Sequence, residues 1–355
     1  MSEQNNNVSE NNDSGDTLSS HALSSHGRSS HGRSSHGRSD EEPILSIVVG
    51  TYNRLEKIQA CIDSVCAETR IPFRLYVTDA GSTDGTQQYL ESIEDPRIEI
   101  IFEGKLSGQA KAYNAIFEQV TSKYVCWISD DNVIVNAGFD KAVGVMNNQP
   151  RIGMLGLKVK DVVGPFVKAP YIGGISEAGI LNVNQGVLPT KLLQQVGGFS
   201  ETFRNYGIDP DLTAKILLSG YDVAYTKDIA IHHQRDWAED PNSEEGKELA
   251  QKHARSKVLY LEKYAKWIGT PLSVKLKTRA YQYLQKKVSA LHSVNSTDTF
   301  AGAIARDWYN ACHASYIGFL DPWVNRSRPF HLRQRIPAWS RPKQLPSDAD
   351  LKSVS

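Results

Sequence analysis

The chain has 355 residues, 40% of them hydrophobic and 23% charged, with 40 basic and 40 acidic side chains and a formal net charge of zero. That balance fits a soluble globular protein of one large or two modest domains, and no apolar run approaches the roughly 18 residues a membrane span needs. The opening residues, Met1 to Asn7, have neither a basic start nor an apolar core, so they do not read as a secretory signal and the expected compartment is the cytoplasm.

Residues 1–42 are rich in Ser, Asn, Asp and Gly and carry almost no large apolar side chains. Such a segment cannot bury enough surface to offset its ordering entropy, which predicts a disordered low-complexity tail. Within it Ser-His-Gly-Arg-Ser repeats three times, starting at Ser25, Ser30 and Ser35. Regular histidine spacing can collect a metal ion, but a solvated spacer is the simpler reading.

From Pro43 the pattern changes. Ile44 to Val49 is a near-continuous apolar run, as expected of a strand buried on both faces. Leu55, Ile58, Ile62, Val65 and Cys66 follow at helical spacing. Phe73–Val77 predicts a second strand, Thr83–Ile93 a helix and Ile98–Phe102 a third strand. Ala112 to Val120 predicts a helix, and Tyr124–Ile128 a fourth strand. Strands alternating with helices predict an α/β fold, a Rossmann-like and mostly parallel sheet flanked by helices. Beyond it, Phe139–Met146 reads as helix, and Gly153–Val163 and Ile175–Val183 as strands. Asp211–Ser219 reads as a short helix closed by Gly220. Val223–Tyr225 and Ile229–Ile231 read as two further strands. The expected organisation is a tail over 1–42, a catalytic domain over 43–240, a mostly helical extension over 241–340 and a fraying tail over 341–355.

The loops after the strands of a parallel sheet face one crevice. The loop after the fourth strand carries two adjacent carboxylates, Asp130 and Asp131. Hard oxygen ligands of this kind suit Mg²⁺ or Mn²⁺, and such an ion commonly neutralises a diphosphate. The loop after the first strand holds Thr51, Tyr52, Asn53 and Arg54, with a ring for stacking and a helix start that favours anions. After the second strand comes Thr78-Asp-Ala-Gly-Ser-Thr-Asp-Gly-Thr86. Asp79 could accept the N3–H of a pyrimidine, while its glycines permit tight turns. Gly108 and Lys111 open the next helix, where a lysine could reach a phosphate. Asp209 and Asp211 lie at a helix start, either as acids favoured by the helix dipole or with one of them as a general base. His232 and His233 end a strand, and imidazole suits a borderline cation such as Mn²⁺. Neighbouring strand residues point to opposite faces, and the alternation favours His233 as the one facing the cleft.

In this order and spacing, the motifs resemble the family 2 glycosyltransferases of the GT-A fold. The resemblance spans roughly 44–240 and rests on Ser46 to Arg54, Thr78 to Thr86, Gly108 to Asn114, Ser129-Asp-Asp131, Gly197-Gly-Phe-Ser-Glu201 and Asp209-Pro-Asp-Leu212. It implies a non-processive, inverting transfer from a nucleotide-diphosphate sugar, with UDP favoured, to a saccharide or lipid-linked saccharide. Thr51 and Asp79 would hold the base and Asp130 would lie by the ribose. Asp131 would bind Mn²⁺ or Mg²⁺ together with a strand-end histidine, and Asp209 would be the catalytic base. The chain departs from the pattern at Ala80, Ile208 and Lys215, where an acid, an acid and an arginine are usual. The alternative is a catalytically degenerate domain that binds nucleotide or saccharide as a scaffold.

Between Gln251 and Leu291, basic residues outnumber acidic ones and apolar residues interleave at helical spacing. This is compatible with peripheral contact at an anionic membrane surface, or with an apolar stripe packed on the catalytic domain. No recognition motif for nucleic acid accompanies the basic run. The four cysteines, Cys61, Cys66, Cys126 and Cys312, have neither metal nor disulfide spacing and are expected to be reduced.

Overall fold

The computed structural model describes residues 42–163, 167, 171, 180–203, 206–234, 243–264, 266–267 and 327–351. The N-terminal repeat, most of the 251–291 stretch and Cys312 lie outside them.

Four strands form one half of a nine-stranded sheet: β1 (Leu45–Thr51), β2 (Phe73–Asp79), β3 (Ile98–Phe102) and β4 (Tyr124–Ser129). They run parallel in the order β3-β2-β1-β4. Helices α1 (Leu55–Glu68), α2 (Thr86–Glu91) and α3 (Gln109–Phe117) make the crossovers. Strand alternation sorts the core into two layers. Ile47, Val49, Cys126 and Ile128 pack with Ile58 and Ile62 of α1 on one face, whereas Val48, Val125 and Trp127 pack with Tyr113 and Phe117 of α3 on the other. The chain therefore changes direction across the sheet between β1 and β4, and a crevice opens outside the carboxyl ends of strands at such a switch point.

The other half is mixed. β5 (Asn132–Ile134) leads to α4 (Gly138–Asn148), followed by β6 (Ile152–Asp161), β7 (Gly186–Pro189), α5 (Thr190–Gln195), α6 (Ile208–Leu218) and β8 (Asp222–His233). β7 pairs antiparallel with β4 and β6, β6 runs parallel to β8, and β5 pairs antiparallel with β8. The two strands expected over 223–231 are one, with register irregularities against β6. α6 starts three residues before its expected position, which puts Asp209 inside its first turn. Gly220, at φ 95°, follows the helix end as expected.

α7 (Glu244–Tyr264) buries Leu259, Tyr260 and Tyr264 in the second core layer. The last strand, β9 (Phe330–Gln334), pairs with β8 inside a region expected to be helical. Of the segment expected to fray, 341–355, the described residues 341–351 include an anchored acid. Asp348 Oδ1 accepts from Lys263 Nζ at 2.6 Å, and Asp348 also holds Ser200 and Thr202. Cys61, Cys66 and Cys126 are free thiols. Among the described residues no helix is long and apolar enough to cross a membrane.

Candidate active site

A cleft of about 980 Å³ opens at the switch point and is bordered by both halves of the sheet. Thr51, Tyr52 and Arg54 form one border, Asp130 and Asp131 the floor, and His233 and Asp209 come from the mixed half. α7 supplies a further wall through His253, Lys257 and Tyr260.

The acids at the floor owe their position to a tight turn. β4 ends at Ser129 and β5 begins at Asn132, so Asp130 and Asp131 sit between two strands. Asn132 braces the turn, with Oδ1 accepting from Ser129 N at 3.0 Å and Nδ2 donating to Asp131 Oδ1 at 3.3 Å. Thr51 Oγ1 donates to Asp130 Oδ2 at 2.9 Å. Arg54 Nη1 reaches Asp130 Oδ1 at 2.7 Å and Asp131 Oδ2 at 3.4 Å, so one guanidinium serves both acids. Burial raises the Asp130 pKa despite that pairing. Asp131 goes the other way: burial pushes it up, but the bonds from His233 and Arg54 outweigh that and hold it below its ordinary value.

The pairing of β5 with β8 sets Asn132 opposite His233 and so carries the histidine to Asp131. His233 Nε2 lies 3.4 Å from Asp131 Oδ1, and its Nδ1 lies 2.7 Å from Asp161 Oδ1. Burial alone would lower the imidazole pKa, but the two carboxylates raise it to about 9. His232, the other candidate, pairs in register with Val133 and Lys160 and does not border the cleft.

Among the described residues no three His, Cys, Asp or Glu side chains group as a ready-made metal site. Asp131 and His233 instead make an open two-ligand corner. That donor set would fit a Mg²⁺ or Mn²⁺ ion, held by Asp131 and His233.

Gly207, at φ 91°, breaks the chain ahead of α6 and directs Asp209 to the cleft. A side chain at Gly207 would collide with Ser256 of α7, since an added Cβ would lie 2.0 Å from its Oγ. Trp127 Nε1 donates to Asp209 Oδ1 at 3.0 Å and to Asn184 O at 2.8 Å. Burial raises Asp209 to about 8, against the pull of the Trp127 bond. Asp211 does another job. It is fully buried, accepts from Lys263 Nζ and Tyr264 OH at 2.7 Å each, and has Lys215 Nζ at 3.2 Å. Of the two acids left open by the sequence, only Asp209 borders the cleft.

Three other candidates turn away. Asp79 is fully buried, and its Oδ2 accepts from Gly81 N, Ser82 N and Gln87 Nε2 at 3.0, 3.0 and 2.7 Å. The carboxylate shapes its own turn, and Ala80 faces the cleft in its place. Asn53, at φ 52°, joins the first two loops: its Oδ1 accepts from Thr83 N at 2.7 Å. Lys111 is exposed on α3 and does not border the cleft, whereas Gly108 does. Asn114 clasps the Gly197–Glu201 loop, donating to Phe199 O at 2.9 Å and accepting from Phe199 N at 2.8 Å. The sequence reading missed Trp127, Asp161, Glu103 and the α7 wall. Alternation along β4 could have found Trp127, whose face is opposite that of Cys126 and Ile128. Nothing in the sequence around Asp161 marks it.

Residues 46–198 match the family model described as glycosyl transferase family 2. A Bacillus subtilis protein, TuaG, whose name places it as a glycosyltransferase in teichuronic acid biosynthesis, is 29% identical over 93 residues, covering 26% of this chain and 37% of that protein. An N-acetylglucosaminyl-diphospho-decaprenol L-rhamnosyltransferase of Mycobacterium tuberculosis is 21% identical over 272 residues, covering 64% and 88%. The chain spans 24% to 37% of the length of the first curated relatives it matches. The mannosyltransferase PcManGT from Pyrobaculum calidifontis, solved with GDP-Man and Mn²⁺, superposes with a TM-score of 0.51 at 20% identity, covering 79% of this chain and 88% of that one. At that identity the likeness speaks for a shared fold.

Proposed function

We propose, from the match of residues 46–198 to the glycosyl transferase family 2 model, that the chain moves a sugar from a nucleotide-diphosphate donor to a hydroxyl of a saccharide or lipid-linked saccharide. The observation that carries this reading is the meeting of Asp131, His233 and Asp209 on one cleft, although Asp209 comes from a separate helix far along the chain. Relatives named for diphospho-decaprenol and diphospho-undecaprenol acceptors support an acceptor of that class.

In the proposed reaction the acceptor oxygen attacks the anomeric carbon as the bond from that carbon to the diphosphate oxygen breaks, with inversion. Asp209 takes the hydroxyl proton on Oδ2, because Oδ1 is occupied by Trp127. The raised pKa makes this carboxylate a stronger base than an exposed one, and such help is typically worth about 10²–10⁴ in rate. Arg54 and Thr51 hold Asp130 in place beside the donor. Asp131 and His233 would hold Mn²⁺ or Mg²⁺, which when bound supplies Lewis-acid neutralisation of charge on the departing diphosphate. Tyr52, 46% exposed at the border, offers a face for the base.

The preference for uracil loses its support with Asp79 turned inward. Glu103, at the end of β3, is the described carboxylate that borders the cleft near Ala80, and we assign it contact with the ring N–H of the base. The test is a thermal-shift panel of UDP-, GDP- and dTDP-sugars with and without Mn²⁺, followed by donor hydrolysis. A single metal-dependent stabiliser that is also hydrolysed supports transfer. Stabilisation without any turnover of the donor supports the scaffold reading instead.

A further inference from the structure

Asp161 is the last residue of β6, in register with His233 of β8. Its side chain is fully buried, yet its polar contacts are few. Oδ1 lies 2.7 Å from His233 Nδ1, and among the described residues Oδ2 has no hydrogen-bond partner. A buried carboxylate with a single partner is costly to maintain. It is not needed to join the strands, because the β6–β8 ladder already does so. Asp161 does not border the cleft, so it does not touch substrate.

We propose that Asp161 is a positioning residue for metal binding, fixing the His233 ring and its Nδ1–H tautomer so that the Nε2 lone pair is presented beside Asp131. The inference rests on the metal corner described under the proposed function. With Nδ1 held by Asp161, Nε2 is the nitrogen left to face the corner, 3.4 Å from Asp131 Oδ1. A ring free to flip would offer a carbon there for part of the time. Such outer carboxylates both orient a histidine ligand and raise its basicity, and their loss typically costs about 10- to 100-fold in metal affinity. Because the pinned donor is an imidazole, the corner favours Mn²⁺ over Mg²⁺.

The experiment is a Mn²⁺ titration of the full chain, followed by electron paramagnetic resonance, with Mn²⁺ alone and with UDP or GDP added. The variants are Asp161→Ala and Asp161→Asn, with folding checked by circular dichroism. Asp161→Ala is expected to weaken Mn²⁺ binding at least tenfold and to erode the preference over Mg²⁺. Asp161→Asn, which keeps an acceptor for Nδ1–H, should recover most of the affinity. Equal affinity in wild type and Asp161→Ala would overturn the assignment while leaving the metal corner intact. No Mn²⁺ uptake by wild type would overturn both. A readout free of any variant is the ¹⁵N spectrum of His233, with Zn²⁺ as a diamagnetic probe. Nδ1 should keep its proton while Nε2 shifts, and the reverse pattern sinks the proposal.

Discussion

Asp209→Asn should make the protein inactive and, at alkaline pH, more stable. Burial lifts the Asp209 pKa from 3.8 to about 8. A carboxyl whose folded pKa lies above its unfolded value favours the folded state fully below the unfolded pKa. That advantage fades as pH rises through the folded pKa. The window here runs from about pH 4 to about pH 8. A shift of this size corresponds to about 6 kcal/mol at 1.36 kcal/mol per unit. Asp209 keeps a partly exposed face on an open cleft, so solvent screening and relaxation cut the effect to about 2–3 kcal/mol. Asparagine has nearly the same shape, retains an acceptor for Trp127 Nε1 and carries no charge to bury. Urea unfolding of wild type and variant at pH 5 and pH 8.5 measures the effect. The stability gap in favour of the variant should widen by about 2 kcal/mol between the two, while transfer falls by about 10²–10⁴. A gap independent of pH would refute the claim that burial raises the pKa of this acid.

Three other outcomes follow from the same packing. Because His233 stays protonated up to about pH 9 in the absence of metal, Mn²⁺ binding should release about one proton and tighten roughly tenfold per pH unit from pH 7 to 9; titration calorimetry in two buffers of different ionisation enthalpy reads the proton directly. Asp211→Ala leaves Lys215 and Lys263 buried with less counter-charge and should cost about 3–5 kcal/mol in urea unfolding. Asn114→Ala breaks both bonds of the clasp on Phe199 and should cost about 1–3 kcal/mol, with donor binding retained in the thermal-shift panel.

The parallel half of the sheet was legible because β1 and β4 are buried on both faces and their helices carry clear apolar stripes. The mixed half was less so. β5 has three residues and β7 four, too few for any period to show, and each exists through its partner rather than its own pattern. β8 read as two strands because Thr226, Lys227 and Asp228 interrupt the apolar run where its pairing with β6 shifts register. At the site, Asp130, Asp131, Asp209 and His233 could be picked out because each sits at the end or start of an element. Asp79 could not be judged the same way. Its position at the end of β2 is right for a ligand, but two amides of its own turn and the Gln87 side chain of α2 take up its Oδ2, and that competition is set by local geometry. Asp161 ends a strand with no motif around it, and its meaning appears only when β8 brings His233 alongside.

Strand β4 links the two chemical ends of the cleft, and this gives a last test. Its carboxyl end carries Asp130 and Asp131, while Trp127, two residues before that end, donates its indole N–H to Asp209. Trp127→Phe would keep an aromatic ring against Phe199, now 5.3 Å away edge-on, and remove only the donor. The indole bond is what lowers the Asp209 pKa against burial, so its loss must raise that pKa further. A hydrogen bond to a charged group is worth about 1.5–3 kcal/mol, which corresponds to about one to two pH units. The acid limb of the kcat/KM profile for transfer should therefore move to higher pH by at least about one unit. Mn²⁺ affinity should hold steady, because Asp131 and His233 do not touch the indole. An unmoved acid limb in a folded variant would mean that Asp209 does not govern the rate. A lost Mn²⁺ site would mean that the ring itself, rather than its N–H, sets the geometry at the end of the strand.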